Sequence, residues 1–309
     1  MNGFLNLNKA AGLTSHDEVL RARELLGIEK IGHLGTLDPL ATGVLPLCIG
    51  KATKLVPYLE NTTKAYLATV TLGILTDTQD ISGRVLETRR VRPLSKSEVS
   101  RSLDQFCGQI EQIPPMYSAV KVKGKPLYKL ARRGIEVERA PRKITVYRLV
   151  LQDLREDSLT IEIECSKGTY IRTLCADIGQ VLGCGGCLKS LARTMVGPFR
   201  LKDSLTYEQL RSCQERGEAK EFLWPLDKVL LDYPQVFVSE RVANQVRNGS
   251  SFSEDSVQNV KEVSSLATGT LVRVCDPLGT LLALAEVMSD QIDRGPLRIF
   301  RIARLLVSG

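Results

Sequence analysis

The sequence predicts an α+β fold, with a larger mixed unit over residues 1–229 and a small β-rich unit over residues 230–309. Three observations carry that expectation. Strand-like alternation and helix-like periodicity are intermingled without strict βα repetition. Two strand-like runs, 144–151 and 159–165, flank the polar turn Arg155-Glu-Asp157 as an antiparallel hairpin would. Past residue 230, three short strand-like runs follow one another with turn residues between them.

In chain order, Phe4-Leu-Asn-Leu7 alternates as a short strand. Ser15-His-Asp-Glu18 reads as a capping box opening a helix through Val19, Ala22, Leu25 and Leu26, which Gly27 stops. Tyr66, Ala68, Val70 and Leu72 alternate with Leu67, Thr69 and Thr71, the pattern of a half-buried strand. Residues 95–106 place Val99, Leu103 and Phe106 on one helical face behind a cap at Ser95 or Ser97. After the hairpin, Thr169 is placed to cap a helix bearing Ile171, Leu174, Ile178 and Leu182, closed by Gly183. Residues 206–216 read as a further helix. The C-terminal strand-like runs are 269–275, 280–287 and 297–303, divided by Asp276-Pro-Leu-Gly279 and Arg294-Gly-Pro296 turns.

Composition narrows the partners. With 309 residues, 43% of them apolar, the chain can fill a large core without covalent staples. Its net charge of +7 favours a polyanion, nucleic acid ahead of an anionic membrane. No apolar run approaches the roughly 18 to 20 residues of a spanning helix, and the first residues lack a signal-peptide layout. No membrane association and a cytoplasmic location are expected. The eight cysteines are dispersed and read as reduced, mostly buried thiols. Cys184-Gly-Gly-Cys187 has the spacing of half a zinc site, but there is no second such pair and the two histidines, His16 and His33, lie far off in sequence; no metal is expected.

Three stretches carry chemistry. Residues 32–54, GHLGTLDPLATGVLPLCIGKATK, hold four glycines, two prolines and one acid, Asp38. The phosphate-loop spacing fails, because Gly50-Lys51 is followed by Ala52 and Leu45 stands where glycine is required. What remains is either an Asp-Pro turn or a lone carboxylate presented from a fixed extended frame before Pro39. Residues 121–143 carry nine lysines and arginines against two acids, Glu136 and Glu138, with Tyr128 among them and Tyr117 just before. Such a run is either a solvated basic face or a surface combining phosphate contacts with stacking platforms. In Cys165-Ser-Lys-Gly-Thr-Tyr-Ile-Arg172 a strand runs into a helix N-terminus, where Lys167, Arg172 and the backbone could meet an anion, either a phosphate or the Asp38 carboxylate.

Residues 32–54, 64–83 (KAYLATVTLGILTDTQDISG) and 166–186 (SKGTYIRTLCADIGQVLGCGG) together resemble the bacterial TruB-type tRNA pseudouridine-55 synthases, in the same order and over most of residues 1–225. The C-terminal part is more weakly similar to that family's PUA-like RNA-binding domain. The resemblance implies the pseudouridine synthase fold, with a mixed, mainly antiparallel sheet. It also implies isomerisation of one uridine in the TΨC stem-loop of tRNA, without metal or organic cofactor, by a monomer needing no obligate protein partner. Matched motif by motif, Asp38 takes the place of the nucleophile, Tyr66 of the tyrosine stacked on the target base, and Arg172 of the arginine paired with the aspartate. His33 matches the residue that fills the space vacated by the flipped base, Tyr170 and Leu191 match pocket-lining residues, and Lys9 a substrate-binding position. Ala10 stands where the family usually has proline after that lysine. A basic insertion at about 115–143 falls where the family clamps RNA. A tRNA-folding protein would share the clamp and the C-terminal domain, and Asp38 distinguishes the two readings.

The charge logic is independent of the resemblance. Moving uracil from an N1 to a C5 link involves no net redox change and consumes no water, so a single ionised carboxylate suffices, and a nearby Arg172 is expected to hold its pKa down.

Overall fold

The structure, a computed structural model, describes residues 1–259, 263, 265–292 and 295–307. Its opening strand, Gly3–Lys9, is longer and more deeply buried than the alternation of Phe4 to Leu7 indicates. Both of its faces are covered: Leu5 and Leu7 enter the main core, while Phe4 packs with Val44, Cys48, Val196 and Phe199 on the other side. Asn6 is consequently buried, and its amide donates to the Arg200 carbonyl at 2.8 Å.

A ten-stranded sheet organises residues 1–224. Along its main path run Leu223–Trp224, Gly3–Lys9, Thr42–Ile49, Gly186–Val196, Lys64–Leu72, Ser158–Cys165, Arg142–Leu154 and Gly108–Gln112. Every pairing is antiparallel except that of Gly186–Val196 with Thr42–Ile49. The mixed, mainly antiparallel sheet is therefore as expected, and so is the hairpin of Arg142–Leu154 with Ser158–Cys165. Helices Ser15–Leu26, Lys96–Asp104, Ile171–Val181 and Tyr207–Glu215 supply Val19, Leu103, Leu174, Ile178 and Leu210 to a single core against the sheet.

Thr42–Ile49 was not legible as a strand because Gly43 and Pro46 interrupt it, yet each has a structural reason. Gly43 has φ of +99°, and a Cβ there would meet the Arg193 carbonyl oxygen at 2.3 Å, so only glycine lets the two parallel strands approach. Pro46 lies where that edge passes from Gly186–Val196 to the short strand Ile31–His33, a stretch without a ladder partner for the missing N–H.

Two caps differ from expectation. The reciprocal box of the first helix is Thr14 with Asp17, one residue earlier than Ser15 with Glu18. Ser15 is occupied elsewhere: its hydroxyl accepts from Leu37 N at 2.8 Å, tethering the loop that leads to Asp38. Thr169 does not cap its helix either. It donates to the Ser166 carbonyl, and the cap position is Tyr170, whose N–H is taken by the Gln112 side chain at 2.8 Å.

From residue 235 onward a second sheet orders Gln235–Phe237, Leu271–Cys275, Leu281–Ile292, Gly295–Leu305 and Phe252–Ser253. Its core is its own, built on Val236, Val272, Val274, Val287 and Phe300, with Val242, Ala243 and Val246 from a helix, Glu240–Arg247, that the reading of this part as β-rich did not resolve. The expected Arg294-Gly-Pro296 turn begins outside the described residues. The two sheets meet through a third cluster in which Leu284 and Leu306 join Phe4, Val196 and Phe199. Tyr58 donates to the Ala303 carbonyl at 3.1 Å and accepts at its own carbonyl from Tyr233 at 2.6 Å. Seven of the eight cysteines are buried, Cys107 is exposed, and all are free thiols.

Candidate active site

Asp38 projects from the loop joining Ile31–His33 to Thr42–Ile49, and nearly every carbonyl around it is held. On one side Lys9, with no exposed surface, donates to the carbonyls of Ala10, Pro39 and Ala41, the last at 2.7 Å. On the other, Arg193 donates to the carbonyls of Gly35 at 3.0 Å, Thr36 at 3.3 Å and Val44 at 2.7 Å. Gly12 N–H donates to Pro39 and Ala41 N–H to Asp38 itself, which closes the turn. A loop so anchored presents its side chain with little entropy left to lose on binding.

The side chain it presents meets Arg172, from the first turn of Ile171–Val181 and 134 residues away in sequence. Arg172 Nε lies 2.9 Å from Asp38 Oδ2, and Nη2 lies 3.5 Å from Oδ1, a side-on fork. The guanidinium is otherwise saturated: Nη2 donates to the Tyr117 carbonyl at 2.8 Å, Nη1 to the Thr78 carbonyl at 3.1 Å and to Asp80 Oδ2 at 3.4 Å. Lys167 is exposed and stands outside this network, so of the two anions open to the helix N-terminus, Arg172 meets the carboxylate.

Asp80, like Arg193, is a residue that sequence reasoning missed here. It is buried and accepts from Thr78 Oγ1, Ser82 N and Ser82 Oγ, which fixes the carboxylate that in turn fixes Arg172. Its only sequence signal is its place in the turn-rich TDTQDISG, where a carboxylate two residues before a serine N–H makes an Asx turn.

The electrostatic expectation for Asp38 needs correction. Its pKa is raised above the ordinary carboxylate value, first by loss of hydration and then by the Asp80 charge, against which Arg172 and Lys9 pull down. Protein surrounds the carboxyl closely, yet 38% of the side chain stays open to solvent, so the surroundings are crowded and the mouth is free. An oxygen can therefore reach a substrate while the guanidinium holds the group in place.

Tyr66 lies on the sheet floor in Lys64–Leu72, directly across from Arg193 on Gly186–Val196. Tyr66 is 7% exposed, the charge of its cross-strand neighbour Arg193 acts on its hydroxyl, and burial pushes its pKa up to about 12. Leu191, paired with Ala68 in the same ladder, lies on the same face as Tyr66. His33, half-buried at the end of its short strand, has its pKa lowered by burial and then by the Arg193 charge, which favours the neutral ring. Tyr170 is half-buried at the helix start, framed by Gln112, which accepts from its N–H and donates to its carbonyl. Asp38, Arg172, Tyr66, His33, Leu191 and Tyr170 thus belong to elements converging on one end of the sheet. Lys9 reaches the same loop from behind, with its ammonium consumed by carbonyls, a geometry that supports holding the loop over touching a ligand.

The basic segment borders the site. Tyr117, whose carbonyl accepts from Arg172, leads into a hairpin, Lys121–Val122 with Lys125–Pro126, and a one-turn helix, Leu127–Ala131. Arg132 lies over the Tyr128 ring at 5.6 Å.

Asp38 is forked by Arg172 beside the sheet that carries Tyr66, and proteins of similar sequence and fold show the class to which the chain belongs. The fold is shared with the Cbf5 chain of a "Cbf5-Nop10-Gar1 Complex", with a TM-score of 0.77 and 25% identity over 99% of this chain and 85% of that one. It is the fold of pseudouridine synthases. Two family models match in succession, the TruB family pseudouridylate synthase N-terminal domain over residues 23–171 and the tRNA pseudouridylate synthase B C-terminal domain over residues 172–235. Similar proteins include tRNA pseudouridine synthase B of Geobacillus kaustophilus, 47% identical over 81% of this chain and 90% of that protein. Its counterpart in Pseudomonas fluorescens is 45% identical over 94% and 93%. The chain belongs to the TruB family of pseudouridylate synthases.

Proposed function

We propose that this enzyme isomerises the uridine at position 55, in the TΨC stem-loop of tRNA, with Asp38 as nucleophile. The observation that carries the reading is the Arg172–Asp38 fork at 2.9 Å, which immobilises a carboxylate at an open mouth, while the second carboxylate nearby, Asp80, is buried and taken up by Arg172, Thr78 and Ser82. An ionised Asp38 oxygen assists cleavage of the N1–C1′ bond; uracil turns within the pocket and C5 bonds to C1′. N1 gains a proton and C5 loses one, so atoms and charge balance without oxidant, reductant or water consumed.

The target base has to leave its stack, at a cost of about a few kcal/mol. Tyr66 offsets that cost by stacking on the extruded base, and neutral His33 occupies the vacancy it leaves. Leu191 and Tyr170 line the pocket, and Lys9 keeps Asp38 in register. Residues 115–143 clamp the RNA, with eight of the nine cations in 121–143 exposed, while residues 230–309 act as a PUA-like second RNA contact beside the 1–229 catalytic domain. The enzyme acts as a monomer in the cytoplasm, with no obligate protein partner and no cofactor. No described helix is long and apolar enough to cross a membrane.

The test uses tRNA transcripts carrying tritium at uridine C5, because forming the new bond expels that hydrogen. The reading expects release of one tritium per tRNA and none when uridine 55 is replaced by cytidine. Release that persists in the cytidine transcript would refute the assigned position.

A further inference from the structure

Arg193 stands out among the buried groups because its surroundings offer no compensating charge. It is 1% exposed, and no carboxylate of the described residues pairs with it. Leaving a guanidinium in such a place is costly unless its donors are used. They are: Nε, Nη1 and Nη2 go to the carbonyls of Val44, Thr36 and Gly35, while the guanidinium stands directly across the ladder from Tyr66, whose hydroxyl feels its charge.

The partners fall in three places that have to agree for the chemistry. Gly35 and Thr36 lie between His33 and Asp38, Val44 lies just beyond that loop, and Tyr66 is on the facing strand. One residue beyond the last pair of the parallel ladder, Arg193 with Gly43, the Arg193 side chain takes the Val44 carbonyl. Backbone packing enforces the approach, since Gly43 leaves no room for a Cβ against Arg193. A lysine offers a point charge and cannot span a planar fork of carbonyls beside the Tyr66 ring.

We propose that Arg193 is a positioning residue that locks the Tyr66 ring and the His33–Asp38 loop into one geometry, so that the base platform and the nucleophile are set by the same side chain. The inference rests on the reading of Tyr66 as the platform under the target base.

The test measures single-turnover tritium release and tRNA affinity for the full chain with Arg193→Lys, Arg193→Met, Tyr66→Phe, Tyr66→Leu and the Tyr66→Phe/Arg193→Met pair. Tyr66→Phe keeps the ring and removes only the hydroxyl, so it reports on the link even if a change at 193 impairs folding. The expectation is a loss of about 10-fold or more in the chemical step for Arg193→Lys, with tRNA affinity within about 3-fold. The effect of Arg193→Met should also be about 3-fold or more smaller in the Tyr66→Phe background than in wild type, because contacting residues couple. If Arg193→Met cannot be obtained folded, slowing of the chemical step by both Tyr66→Phe and Arg193→Lys upholds the proposal. Wild-type turnover by Arg193→Lys, or strictly multiplicative losses in the double variant, overturns it. A wild-type rate for Tyr66→Leu would instead refute the platform reading, and a normal Tyr66→Leu defect beside an indifferent Arg193 would refute the Arg193 proposal alone.

Discussion

Two groups of cations face the same substrate and are built in opposite ways. Around Asp38, the charges of Lys9, Arg172 and Arg193 are buried and spent on carbonyls and two carboxylates. In residues 121–143 eight of nine cations are exposed, and the segment's ion pair is Arg139 with Glu136 at 3.2 Å, where Glu136 is 80% exposed. The first group is an internal scaffold whose donors are occupied before RNA arrives. The second keeps its donors available to phosphates. The same charge thus fixes geometry where it is buried and supplies affinity where it is exposed, and the contrast predicts that the two regions fail differently.

The largest effect should come from the scaffold. Arg172→Met removes the fork and leaves Asp38 and Asp80 facing each other, and we expect tritium release to fall by about 100-fold or more with tRNA affinity little changed. Equal losses in rate and affinity would erase the contrast. Neutralising Lys121, Lys123, Lys125, Arg132 and Arg133 together should do the reverse. Binding weakens at moderate salt, and the slope of log affinity against log salt drops by about 0.7 to 0.9 for each phosphate that the protein no longer neutralises. An unchanged slope would move the binding face elsewhere.

A smaller effect sharpens the electrostatics. Because the Asp80 charge raises the Asp38 pKa, Asp80→Asn should lower it, and the acid limb of the rate profile should move to lower pH. The loosened hold on Arg172 would lower the plateau at the same time. A limb displaced to higher pH would mean that Asp80 acts on Asp38 chiefly by placing Arg172. Least affected should be Lys167→Ala, since that exposed ammonium lies outside the network; we expect a rate within about 2-fold of wild type, and a larger loss in a rate assay would give it a role the geometry does not.

How much of this was legible in the chain follows the same division. The charge run at 121–143 is a local property and reads directly from composition. Likewise the helices announce themselves by period and cap, although Ser15 misplaced one cap because its hydroxyl serves the loop at Leu37. The pocket is different. Its decisive contacts join residues 134, 149 and 157 positions apart, and no local pattern marks them. Asp38, Tyr66 and Arg172 were reachable through motif resemblance, whereas Asp80 and Arg193 were not, since a turn aspartate and a strand arginine look like surface residues until the sheet closes over them. The direction of the Asp38 pKa was misjudged for a related reason: sequence supplied the arginine but neither the burial nor the second carboxylate.

Asp38→Asn bears on the central claim most directly, because it keeps the side chain's shape while removing the charge that Arg172 holds and one of the two acceptors of its fork. Tritium release and binding are measured on the same tRNA transcript. The account predicts binding within about 3-fold of wild type and no release above background; release at a rate near wild type would contradict it.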